Sequence, residues 1–218
     1  MEFNKENILN KVKSATQSTV VMDEGLRSYM LKVYNYMASG ILITGIISLL
    51  FFKLSVNTDA SGAIVSLTSI GNTLFFSGFK WIVMLAPLGV VFYMSFGINK
   101  MSASKAQITF WIFAALMGLS LSSIFLLYTG TSITRVFLIT SATFGAMSIY
   151  GYTTKRDLTK FGSFLMMGLI GIILASLVNI FMKSTMMHFV ISILGVLIFV
   201  GLTAYDTQKI KNMYQSSD

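Results

Sequence analysis

The chain has no cysteine and a single histidine, His188, so disulfides, thiolate zinc centres, thiol nucleophiles and histidine-rich metal sites are all excluded. Charge is scarce: charged residues make up 11% of 218 positions, and only eight of these are acidic. Proline occurs once, at Pro87. The H-E-x-x-H, G-x-S-x-G and P-loop patterns are missing, so the metalloprotease, serine hydrolase and nucleotide-hydrolysing classes lose their usual signatures. No enzyme and no bound cofactor is expected.

What is present is apolar sequence: 55% hydrophobic residues, 15 Met, 18 Phe and a mean hydropathy of +0.75. A hydrocarbon core about 30 Å thick needs ~20 apolar residues at 1.5 Å rise each. Six runs meet that length: Val33–Phe52, Trp81–Gly97, Ala106–Tyr128, Val136–Tyr152, Phe161–Met182 and Met187–Tyr205. In lipid each backbone N–H and C=O must find an internal partner, and no barrel-like alternation is visible, so each run is expected to be a helix. The expected fold is all-α, a polytopic integral membrane bundle of six transmembrane helices. Its expected layout is a polar tail over 1–32, the bundle over 33–205 and a second polar tail over 206–218. The first thirty or so residues carry both signs of charge and no apolar h-region, so a cleaved signal peptide is not expected and the first span inserts uncleaved.

The formal net charge of +8 sorts by loop. Lys5, Lys11, Lys13, Arg27, Lys32, Lys100, Lys105, Lys155, Arg156, Lys160, Lys209 and Lys211 fall on one side of the six spans, and Lys53, Lys80, Arg135 and Lys183 on the other. The positive-inside rule then puts both termini in the cytoplasm, with a bacterial inner membrane as the expected location. Once topology accounts for the basic residues, no stripe with interleaved aromatics remains for nucleic acid, and none is expected as a partner. Tyr34, Tyr36, Trp81, Tyr128, Tyr150, Tyr152 and Tyr205 lie near span ends, as an interfacial aromatic belt requires. Pro87 lies inside the second span, where a lost backbone donor should kink the helix. The loop after the first span, Leu54 to Lys80, holds a partly apolar stretch over Ala63–Phe79 that reads as a short interfacial helix or a re-entrant piece.

Small and hydroxyl-bearing residues form stripes suited to helix contact in lipid: Ala114, Gly118 and Ser122; Ser141, Gly145 and Ser148; Gly168, Gly171, Ala175 and Asn179. In the sixth run Ser192, Gly195, Phe199, Thr203 and Asp206 recur at steps of three and four and share one helix face. Such stripes serve packing or line a path. Asp206 is the one acid in or against a span, and intramembrane charge is usually functional because its burial is costly. Its carboxylate either meets a cation or pairs with Lys209 at i+3, a contact worth about 0.2–0.5 kcal/mol. An intramembrane aspartyl protease needs two facing carboxylates, and only this candidate exists. His188, at the other end of the same run, reads as a solvated interface residue.

The strings FLITSATFGAMSIYGYTTKRDLTKFGSFLMMGLIGIILASLVNIF over Phe137–Phe181 and LTAYDTQKIK over Leu202–Lys211 resemble the bacterial branch of the Bax inhibitor-one family, also called the transmembrane BAX inhibitor motif family. Gly25–Gly40, GLRSYMLKVYNYMASG, is similar to the lead-in to that family's first helix. The resemblance implies a bundle around a central helix that leaks calcium across a membrane in a pH-sensitive way. In other bacterial relatives it implies a non-conducting regulator that binds a membrane-bound, ATP-dependent protease. By motif, Asp206 takes the place of the family's gating aspartate, with Thr203, Tyr205 and Gln208 around it and Lys100 or Lys209 as basic partner. Asp206 with Thr203 and Asn179 would meet calcium only weakly, since that ion prefers six to eight oxygens. Family members generally have seven spans, so a missing last helix is expected relative to them, and with it a second aspartate.

Overall fold

The structure is a computed structural model that describes residues 3–60 and 62–214, and of residues 3–23 the backbone alone. Residues 1, 2 and 215–218 of the expected polar tails lie outside the described residues. The chain divides into two compact units, Met1–Leu31 with Arg135–Asp218, and Lys32–Thr134.

A single helix, α1 (Phe3–Ser55), runs from the first unit into the second, and its membrane-length apolar part is Glu24–Ser55. The expected tail 1–32 is therefore helical from Phe3 onward. In the second unit α1 leads into two short antiparallel strands, β1 (Val56–Thr58) and β2 (Ile64–Leu67), paired Val56 with Leu67 and Asn57 with Ser66. The turn between them closes where the Asp59 carboxylate accepts the Ala63 amide at 2.9 Å and Gly62 takes φ +83°, a conformation glycine adopts without strain. Thr68 then ties the hairpin back to α1. Its amide donates to Ser55 O at 3.0 Å, its hydroxyl donates to Leu54 O at 2.8 Å, and that hydroxyl also caps α2 (Ser69–Phe76) through the Gly71 amide. The stretch over Ala63–Phe79, expected to be a short interfacial helix or a re-entrant piece, is thus part strand and part helix.

Next come α3 (Phe79–Gly97), which is continuous through a buried Pro87, a 3-10 turn (Ile98–Lys100), α4 (Ala103–Leu121) and the one-turn α5 (Ile124–Leu127). α1 and α4 run parallel. The order of contacts shows it: the Gln107 amide donates to the Tyr36 hydroxyl at 3.0 Å, the Thr44 hydroxyl to Ala114 O at 2.9 Å, and Phe52 stacks on Phe125 at 5.2 Å. Gly118 permits this approach, because a β-carbon there would meet the Thr44 carbonyl and the Ile47 side chain. Small residues at a crossing are how helices associate where no hydrophobic drive operates.

The first unit adds α6 (Gly130–Thr153), α7 (Thr159–Met182) and α8 (Thr185–Met213). α7 and α8 form an antiparallel hairpin across two residues, Lys183 and Ser184. Lys183 takes the left-handed φ of 51°, and the Ser184 hydroxyl caps α8 through the Met187 amide at 3.2 Å. The register follows from contacts one turn apart: Gly162 against Tyr205, Gly201 against Leu165, Gly168 against Ile198. α8 continues eight residues past the expected end of the sixth span, so most of the expected 206–218 tail is helix. Large apolar side chains point outward on every long helix, among them Phe96 at 84% exposed and Phe181 at 86%. A surface of that kind is stable in lipid and not in water.

Candidate functional site

Two sequence strings singled out for their specificity, GYTTKRDL and AYDTQKIK, meet in the first unit. The last turns of α8 grip the α6–α7 connection through side chains on one helix face, Ala204, Gln208 and Lys211, spaced four and three apart. Gln208 is buried, and both ends of its amide are used: its Nε2 donates to Arg156 O at 2.8 Å and its Oε1 accepts the Leu158 amide at 2.9 Å. Only one orientation of a glutamine amide can serve one donor and one acceptor in this way. Lys211 Nζ donates to Tyr152 O at 2.7 Å and lies 5.1 Å from the centre of the Tyr152 ring. That carbonyl belongs to the last turn of α6, where unpaired carbonyls and the helix dipole favour a cation.

Close backbone approach makes the grip possible. A β-carbon on Gly151 would fall on the Ala204 carbonyl, and one on Gly162 would meet the Tyr205 ring. Leu158, Leu165, Leu202, Ala204 and Thr207 are buried around this point. Farther along α8, Tyr214 packs its ring 5.5 Å from Tyr29 of α1, with its hydroxyl against Gly25. On the loop, the Asp157 carboxylate accepts the amide of Thr159, the first residue of α7, at 2.9 Å. Hydrogen bonds from the Thr159 hydroxyl and amide hold that carboxyl below the ordinary carboxylate range.

Asp206 projects from the other side of the same turn, about 160° round the helix from Gln208 at 3.6 residues per turn. It is exposed, and Lys209 is its charged neighbour. Thr203, one turn back, is half-buried, donates to Phe199 O at 2.8 Å, and lines a crevice of about 430 Å³ with Val196, Phe199 and Val200 of α8 and Val136, Ile139, Thr140, Thr143 and Phe144 of α6. Tyr205 serves packing against Gly162. Asn179 stands at the opposite end of the α7–α8 hairpin, where its Oδ1 accepts the Ser184 amide at 3.0 Å. With α7 and α8 antiparallel, Asn179 lies alongside the start of α8, and His188, exposed, belongs to that end too. Lys100 closes the 3-10 turn of the second unit and is exposed. Thus Asp206, Thr203, Tyr205, Gln208 and Lys209 share the last turns of α8 but not one face, since Gln208 meets the α6–α7 connection and Tyr205 meets Gly162, and Asn179 stands at the far end of the hairpin. Among the described residues no three acidic, histidine or cysteine side chains gather into a metal-ligand group.

Gly151, Tyr152 and Lys211 fall inside the two strings, but sequence assigned them no part in a site: Tyr152 was read as an interfacial aromatic and Lys211 as a tail charge. The face shared with Gln208 was the signal that could have found it.

Among the described residues six helices are long and apolar enough to cross a membrane, which defines a polytopic helical membrane protein. Residues 26–218 match the family described as Inhibitor of apoptosis-promoting Bax1, and the chain belongs to that family. It is 50% identical over 204 residues to an uncharacterized protein of Rickettsia prowazekii, a match covering 94% of this chain and 81% of that one. It is 44% identical over 203 residues to the inner membrane protein YbhL of Escherichia coli, covering 93% of this chain and 82% of YbhL. An uncharacterized membrane protein of Streptococcus pyogenes is 34% identical over 197 residues, covering 90% of this chain and 81% of that one. No solved structure gives a significant match.

Proposed function

We propose that this membrane protein is a non-enzymatic, pH-sensitive cation leak, with calcium as the ion and Asp206 as the carboxylate that meets it. The observation that carries the reading is the position of Asp206: a carboxylate within the last membrane-length helix, exposed, one turn beyond a crevice edged by Thr203. Intramembrane carboxylates are costly and tend to mark ion paths. A carboxylate in that position changes the local charge by one unit when it takes up a proton and by two when it takes up calcium, and competition between the two couples conduction to pH. Lys209 is the basic group on the next turn, and Lys100 is the second candidate partner. Both termini are cytoplasmic in this reading, and the membrane is a bacterial inner membrane, the location that the name of YbhL gives for that relative.

Calcium entry into dye-loaded proteoliposomes at pH 6 and pH 8, for the wild-type chain, Asp206→Asn and empty liposomes, tests the reading. Flux that depends on pH, with that dependence lost in Asp206→Asn, is the expected result. Folded protein with no flux above empty liposomes overturns the leak and leaves a binding role, such as regulation of a membrane-bound protease.

A further inference from the structure

Gln208 and Asp206 occupy opposite sides of one helical turn, and a turn of α-helix is rigid on the scale of a side chain. Gln208 is joined to two backbone atoms of the α6–α7 connection, and Lys211 joins the same end of α8 to the last turn of α6. Those bonds fix the rotation of α8 about its own axis. The close approach of Gly151 to Ala204 fixes its height. Asp206 cannot swing toward or away from its present exposed direction while both Gln208 bonds persist.

We propose that Gln208 is a positioning residue: a latch on the α6–α7 connection that sets the direction in which Asp206 points, with Lys211 as its second bolt. Release is a discrete event, because Arg156 O and the Leu158 amide are left without partners together. Loosening of Lys155–Leu158 and turning of Asp206 are therefore one motion, and a basic loop at the membrane surface reports the state of a carboxylate on the far side of α8. The consequence for conduction rests on the cation-leak reading above; the latch and the direction of Asp206 do not.

The test uses the full chain in lipid nanodiscs, with amide hydrogen exchange over 154–158 and the rate of carbodiimide labelling at Asp206 as readouts. Gln208→Met keeps the side-chain length and removes both bonds. Gln208→Glu, ionised at neutral pH, keeps the acceptor for Leu158 and loses the donor to Arg156. With the buried Leu158 amide and the part-buried Arg156 carbonyl both left without Gln208, exchange over 154–158 is expected to rise about tenfold in Gln208→Met, and Asp206 labelling to shift about threefold or more, with Gln208→Glu between it and wild type. Faster loop exchange with Asp206 labelling unchanged overturns the proposal, and so does unchanged exchange. If Gln208→Met does not fold, Gln208→Glu decides alone: wild-type labelling at neutral pH overturns the latch. The labelling readout does not depend on flux, so a chain that conducts nothing refutes the leak and still tests the latch.

Discussion

Gly151 lies directly against the backbone of Ala204, so close that a β-carbon on the glycine would fall on the alanine's carbonyl oxygen. Backbone on both sides leaves nothing flexible to give way. Gly151→Ala is expected to destabilise the protein by about 1–3 kcal/mol, as overpacking does, read as a lower thermal midpoint in detergent. Gly171→Ala is the contrast. A β-carbon there meets nothing within 4 Å, so relief of glycine's helix penalty leaves stability unchanged or raised by about 0.5–1 kcal/mol.

Lys211→Met removes both the bond to Tyr152 O and the cation above the Tyr152 ring. A loss of about 1–2 kcal/mol is expected, combining a helix-terminus charge with a cation–π contact. Denaturant unfolding measures it, and Lys211→Arg should recover part of the loss.

Asp157 makes stability at this loop depend on pH. Its folded-state pKa is lowered by the Thr159 hydroxyl and amide, so the stability from these bonds is fully present above the unfolded-state value and is lost as pH falls through the folded one. Acidification into that range should loosen the start of α7 in wild type. In Asp157→Asn, which still accepts the Thr159 amide, that acid-dependent step disappears. Amide exchange at Thr159 and Lys160 across an acid series checks it.

In the second unit, Thr44 donates across the α1–α4 seam to Ala114 O. Thr44→Val preserves shape and deletes that donor, and the expected cost is about 0.6 kcal/mol, the average for interhelical bonds in membranes. Thr44→Ser should stay near wild type. A change in the unfolding midpoint several times larger would mean that the seam holds more than this bond.

All six spans were legible because length and apolarity are imposed by the bilayer itself. Their ends were less so: Ser102, Thr129 and Ser184 start helices by capping, a signal hydropathy averages away. β1 and β2, three and four residues long, are too short for an alternating pattern to show. At the site, Phe199 and Thr203 of the expected stripe both line the crevice, and Asp206 lies one turn beyond it. Asn179 was grouped with Asp206 by chemistry alone, although the short Lys183–Ser184 connection forces α7 and α8 antiparallel and puts them at opposite ends. Gln208 drew notice as part of a motif, but its task depends on Arg156 and Leu158, some fifty residues away in sequence.

The two-residue turn at Lys183–Ser184 also gives the hairpin mechanics. So short a connection is a pivot with no slack, and α8, 29 residues at 1.5 Å each, is an arm of about 43 Å reaching from it. Gln208 fastens the arm near the end farthest from that turn, where a small tilt at the pivot becomes the largest sideways travel. The fastening therefore stands where it has the greatest leverage, and a change of only a few degrees at Ser184 would have to pull against it.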